Sequence, residues 1–214
     1  MKLTNSEIRK QAREALEGNW GKAILATLIT FLITDSVPTI FSFVNPQNLW
    51  PNLWMLLCLP LHWGLLVYFL RILRREDLGL GHLFDGYNDF KRIFLTQLLV
   101  GFYTILWSLL LIVPGIIKAL SYGLTPFILR DRPELSYNAA IEESMRLMEG
   151  NKMKLFLLYL SFIGWAILCI LTLGFGFLIL MPYIYSSLAT FYQERIKEDQ
   201  AEVVTVTEEA VITE

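Results

Sequence analysis

Residues 93–113 run for 21 positions without a charged side chain and end against Pro114-Gly115. At a rise of about 1.5 Å per residue such a run crosses the roughly 30 Å hydrocarbon core of a bilayer. The Pro-Gly pair then breaks the helix, so residues 106–118 read as the tip of a membrane hairpin, with the chain returning from Ile116. Composition agrees. Of 214 residues, 55% are hydrophobic and 18% charged, and the mean hydropathy of +0.49 is too high for a water-soluble domain of this size.

The rest of the chain divides in the same way. At the start, Thr4 and Glu7 have capping-box spacing, Leu3 and Ile8 can form a hydrophobic staple, and Ile8, Ala12 and Leu16 recur at helical intervals opposite Arg9, Lys10 and Arg13. This predicts an amphipathic helix over residues 1–18, lying on the membrane surface and stopped by Gly18. Glu7, Glu14 and Glu17 in this leader, with no small-residue cleavage site after it, argue against a cleaved signal peptide. The first span is expected over about 20–37, ending near Pro38; the alternative is a kink at Pro38 and a helix reaching Val44. An uncharged loop over residues 45–52 leads to a second span over about 53–70, and Trp50 and Trp54 sit at its entry as interfacial aromatics do. The third span is 93–113. The fourth, about 116–130, is short enough that a re-entrant segment is the alternative. A second amphipathic helix should place Ile141, Met145 and Met148 on one face and pair Glu142 with Arg146. Residues 155–192 then carry no charge over 38 positions and should turn at residues 172–176, giving spans over about 155–172 and 175–193. Residues 194–214 are rich in Asp and Glu and are expected to be a solvated, disordered tail.

The expected fold is therefore all-α: a polytopic integral membrane protein with six transmembrane helices in three hairpins over residues 19–193, each hairpin preceded by a cytoplasmic surface segment. Charge placement supports this layout and orients it. Of 18 Lys and Arg residues, all but Lys118 fall on one side of the six-span arrangement, which the positive-inside rule makes the cytoplasmic side. Both termini should face the cytoplasm of a bacterial inner membrane. A repeat also emerges, since Asn19, Asn88 and Asn151 each stand three residues before a Lys (Lys22, Lys91, Lys154) at the start of an odd-numbered span.

Pro60-Leu61 with Gly64, Arg75-Glu76, Leu83-Phe84 with Gly86, Pro114-Gly115-Ile116-Ile117-Lys118 with Tyr122, Ser144 to Gly150 with Lys152, and Pro182-Tyr183 together resemble the bacterial integral membrane proteins grouped as domain of unknown function 975. More distantly, Pro114-Gly115 through Ser144 and Gly150 is similar to the membrane domain of some glycerophosphodiester phosphodiesterases, without a catalytic domain. The first resemblance implies a family and no activity.

Few chemical motifs compete with that reading. There is no phosphate-binding Gly-rich loop, no His-Glu-x-x-His and no Cys-x-x-Cys, and His62 and His82 are the two histidines. Neither an enzyme nor a nucleic-acid binder is expected, and no cofactor or metal. Cys58 and Cys169, each inside an apolar run, are expected to be free thiols. Ionisable groups within spans are expensive in hydrocarbon, so Asp35, His62 and Lys118 are the candidate residues for a shared intramembrane polar site. The simpler reading gives each a local role: Asp35 ending a span, His62 bonded to a backbone carbonyl, Lys118 snorkelling to the interface. Expected partners are the lipid bilayer and a membrane-protein partner or second copy. The function expected is a non-enzymatic scaffold or accessory component of the envelope; the alternative is a small transporter or lipid-handling protein.

Overall fold

The computed structural model describes residues 3–44 and 50–212, so the expected loop at residues 45–52 falls mostly outside the described residues. Helix α1 (Asn5–Leu16) begins at the capping box: the Thr4 hydroxyl accepts the Glu7 N–H at 3.3 Å, and the Glu7 carboxylate accepts the Thr4 N–H at 2.6 Å. It stops where Gly18 adopts φ +77°, a left-handed conformation that a Cβ would oppose.

Helix α2 (Trp20–Phe31), a π-helical turn (Leu32–Ser36) and α3 (Val37–Val44) follow as one rod. The first apolar helix therefore does not end near Pro38, and the kinked alternative is the one that forms. Pro38 cannot donate to the preceding turn, and the wider π turn absorbs that loss. Side chains serve the nearby carbonyls, with the Thr34 hydroxyl donating to Thr30 O at 2.9 Å and the Thr39 hydroxyl to Asp35 O at 2.6 Å. Helices α4 (Trp50–Leu57) and α5 (Leu59–Arg74) return, and the Trp54 indole N–H donates to Ile33 O at 2.8 Å.

A 3-10 segment (Leu80–Tyr87) leads into α6 (Phe90–Leu110), which ends at a single extended residue, Leu111, before α7 (Ile112–Tyr122). The turn thus lies three residues ahead of the Pro-Gly pair expected to make it. Pro114 falls instead in the first turn of α7, where a backbone N–H has no helical acceptor and its absence costs nothing. Gly115 lets that turn close on α6, since a Cβ there would come within 2.4 Å of Ser108 Oγ. Helix α8 (Thr125–Asp131) continues α7 after a break at Gly123-Leu124 that Ser144 bridges: its hydroxyl donates to Ser121 O at 2.7 Å and accepts the Leu124 N–H at 3.2 Å.

Ser144 belongs to α9 (Asn138–Leu147), the expected amphipathic helix, but its ion pair differs from expectation. Arg146 pairs with Glu143, one turn back at i−3, and with Asp199, while Glu142 stays exposed. Gly150 closes the segment at φ +72°. Helices α10 (Lys152–Leu160) and α11 (Ile163–Leu171) precede the expected turn, where Leu173 and Gly174 take φ values of +54° and +88°. The last helix, α12, runs from Phe177 to Ile212 without a break. The tail expected to be disordered is therefore helical through Ile212. A composition argument for disorder misses that these residues extend a helix already nucleated by packing, so each new residue adds a bond without a new nucleus.

Five stretches are long and apolar enough to cross a membrane: Trp20–Phe43, Trp50–Arg74, Phe90–Leu110, Ile112–Asp131 and Lys152–Leu171. The described residues contain helices and turns and no strand. At 20 residues the fourth stretch is longer than its sequence suggested.

Packing shows why the surface segments precede the apolar ones. Helices α5, α8 and the middle of α12 carry much of the buried core, and each packs against a surface segment from elsewhere in the chain. The 3-10 segment lies along α5, α9 along α8, and α1 along α12, which closes the ring from the first residues to the last. We call this ring the collar. Helix α1 runs antiparallel to α12, with the Leu3 N–H donating to Glu194 at 3.3 Å and the Ser186 hydroxyl to Ala12 O at 3.1 Å. Its apolar stripe, Ile8, Ala12 and Leu16, is wholly covered by α12 and α5 rather than laid on lipid. Burying Ile8 and Leu16 contributes roughly 1.5–3 kcal/mol each. On the other side of α5, close approach depends on two glycines: a Cβ at Gly64 would lie 2.0 Å from Leu83 O, and one at Gly86 2.4 Å from Pro60 O. Away from the collar the helices pair two by two, α3 with α4, α6 with α7 and α11 with α12.

Candidate functional site

Asp35 sits exposed on the π turn, its carboxylate accepting the Thr34 hydroxyl at 2.5 Å. His62, near the start of α5, meets the Tyr185 ring of α12 edge-on at 6.3 Å between centroids. The charge of Asp35 reaches both His62 and Tyr185, and Tyr185 in turn interacts with Tyr159 of α10. His62 and Tyr159 are exposed, and Tyr185 is half-buried. Lys118 lies apart on α7, its ammonium 5.1 Å above the Trp107 ring and 3.8 Å from Met145 Sδ. Asp35 and His62 share a neighbourhood, and Lys118 belongs to another.

The neighbouring hydroxyls of α12 are already committed, Ser186 to Ala12 O at 3.1 Å, Ser187 to Tyr183 O at 2.8 Å and Thr190 to Ser186 O at 2.9 Å. Cys58 and Cys169 are free and buried. No group of His, Cys, Asp and Glu among the described residues is placed to hold a metal.

The charged residues form a second constellation, at the collar. Arg74 of α5 forks onto Asp131 of α8 at 2.5 and 2.7 Å, and its Nε donates to Gln193 of α12 at 2.9 Å. The Tyr192 hydroxyl adds a bond to the same carboxylate at 2.9 Å, and its ring stacks on Phe127 at 5.0 Å. All three returning helices are thus tied at one carboxylate. Around it, Glu76 takes Arg130 and Arg71, and Arg71 also pairs with Asp85 at 2.9 Å. His82 stands between Asp77 and Asp85, each at 2.9 Å, and these hydrogen bonds, that of Asp77 foremost, raise its pKa above the ordinary histidine value. On the far side Arg146 holds Glu143 and Asp199, and its hydrogen bonds keep both carboxyls below their usual range.

The sequence indicated these basic residues as orientation marks, with a pairing expected only for Arg146, to Glu142. The signal for their pairing was present as acids beside them, Glu76 after Arg75 and Asp131 after Arg130, but the partners lie as far apart as 119 residues, from Arg74 to Gln193.

A family model described as a protein of unknown function, DUF975, matches residues 1–125 and again 109–200. The chain belongs to DUF975. No curated protein and no solved structure matches it, and the further likeness to a phosphodiesterase membrane domain is not shown. The part matched to DUF975 takes in every element of the collar and stops one residue after Asp199, where α12 makes its ion pair to α9. The family description names no reaction.

Proposed function

We propose that the chain is a six-span integral membrane protein of a bacterial inner membrane, with both termini on the cytoplasmic side, acting as a non-enzymatic scaffold. The observation that carries this reading is the contrast between a collar closed by ion pairs on the side of the basic residues and helix pairs that turn apolar side chains outward, Leu109 at 80% exposure and Leu173 at 90%. The start of α12 supplies the sixth crossing, returning from the α11 turn to the collar. The collar ties the helix pairs together and leaves apolar faces outward, which suits a component that presents membrane-buried surfaces to lipid or to other spans.

A cysteine at Gln47 and another after Lys197, with Cys58 and Cys169 replaced, should react with an impermeant reagent from opposite sides of the membrane. Reaction of both from one side would sink the six-span reading. A lipid-handling role is the second reading, favoured by apolar grooves of about 390 and 640 Å³ beside the α11–α12 turn.

A further inference from the structure

The groove of about 390 Å³ beside α11 and α12 differs from its neighbours in one respect: a charged side chain, Arg13 of α1, contributes to its wall. The remaining wall includes Trp20, Trp165, Leu168, Ile179 and Tyr183, so it is largely apolar, with three amphipathic rings among its lining. Arg13 is exposed and makes no ion pair among the described residues. The adjacent acid on its own helix, Glu14, faces Lys10 at 3.9 Å, and Lys22 adds a second exposed positive charge one turn into α2. We propose that this groove holds one acyl chain of an anionic phospholipid whose phosphate is paired by Arg13. The proposal rests on the membrane reading above. The volume falls within the roughly 300–1,000 Å³ of small-molecule sites, and a guanidinium fork matches two phosphate oxygens. An aliphatic stem lets Arg13 reach the headgroup level from the collar, where the cytoplasmic leaflet concentrates anionic lipid. A zwitterionic lipid brings its own cation to the phosphate and competes with Arg13; an anionic one does not.

The test uses the full chain in vesicles of phosphatidylcholine in which either a tenth of the phosphatidylcholine or an equal fraction of phosphatidylglycerol carries brominated acyl chains, reading quenching of tryptophan fluorescence. Brominated phosphatidylglycerol should quench about twofold more than brominated phosphatidylcholine, as expected for lipid gathered by basic side chains. That excess should vanish in Arg13→Gln, persist in part in Arg13→Lys, and shrink in Trp165→Phe with Arg13 intact. Equal quenching by the two lipids in the unaltered protein overturns the proposal, as does an excess that survives Arg13→Gln. Absence of quenching even when all the phosphatidylcholine is brominated would overturn the membrane reading itself, a result distinct from loss of the anionic preference.

Discussion

Helices α4 and α5 belong to one apolar stretch and meet opposite fates. In α4, Leu53, Met55 and Leu57 are 55%, 70% and 48% exposed, whereas Leu61, Tyr68, Phe69 and Leu70 of α5 expose nothing. Hydropathy does not distinguish them. What separates the two is the set of residues that let another backbone approach: Gly64 beneath Leu83, Trp63 donating to Pro126 O at 2.8 Å, and the Tyr68 hydroxyl donating to Leu78 O at 3.0 Å. An apolar run tells that a helix leaves water. Small residues and paired polar groups along it tell whether it leaves water for protein or for lipid.

The largest effect should come from removing that difference at one atom. Gly64→Val would drive a side chain into the Leu83 carbonyl, 2.0 Å from the first added carbon, in a contact between two backbones that cannot yield. Overpacking of this kind costs about 1–3 kcal/mol and sometimes more, so folded yield in detergent should fall sharply. Gly101 of α6, which meets nothing within 4 Å, should accept Ala with a change of roughly 0.5–1 kcal/mol toward stability. Similar losses from both substitutions, measured by thermal unfolding in the same detergent, would mean that α5 and α6 are packed alike and the comparison fails.

The ion pairs at the collar should rank next. Arg74→Met and Asp131→Asn each leave a partly sheltered charge without its partner; with side chains 27% and 21% exposed, solvent softens the loss to about 1–3 kcal/mol. Because both act on one bond set, the double variant should lose less than the sum of the single ones. Additive losses would show that the returning helices are held by apolar packing alone.

Part of this architecture was legible in the sequence. The capping box at Thr4, the stops at Gly18 and Gly150 and the turn at residues 172–176 are local devices, written in residues within a turn of each other, and the structure has them all. The collar is not local. That α1 would cover α12 depends on which of several apolar surfaces comes near, which periodicity cannot specify, so its apolar stripe was expected on lipid. The turn at Leu111 eluded the sequence for a related reason: Pro114 marks where a helix cannot have an interior, and a helix that starts just before it satisfies that rule as well as one that ends there. Asp35 and His62 stood out as ionisable groups in apolar runs, while nothing in the sequence could set the Tyr185 ring against His62 from 123 residues away.

A gentler effect tests the collar through pH. His82 lies between Asp77 and Asp85 with a pKa raised above 6.5 by those hydrogen bonds, so the folded state favours its protonated form. A group raised in this way contributes its full stabilisation below the unfolded value of about 6.5 and loses it as pH climbs through the folded value. Amide exchange in the 3-10 segment should therefore quicken, beyond the intrinsic rise with pH, from about pH 6.5 upward. His82→Gln should remove that pH dependence while leaving α9, tied by Arg146, unchanged. Persistence of the step in His82→Gln would assign it elsewhere.

The smallest effect expected concerns Lys118, the third candidate for a shared polar site. If Lys118 balanced Asp35, removing either would strand the other, and the double variant would recover much of the loss. The geometry opposes that. Lys118 faces Trp107 and Met145 on α6 and α9, whereas Asp35 is held by Thr34 and acts on His62 and Tyr185. Sites without shared partners add within about 0.3–0.5 kcal/mol, so Asp35→Asn and Lys118→Met should give a double-mutant cycle that closes within that margin. Lys118→Arg should be nearly neutral, since a guanidinium keeps both the charge and the ring contact, while Lys118→Met should cost about 1 kcal/mol, as for a partly exposed cation–π pair. A coupling well beyond that margin would join Lys118 to Asp35 after all, and with it the shared intramembrane site that the geometry opposes.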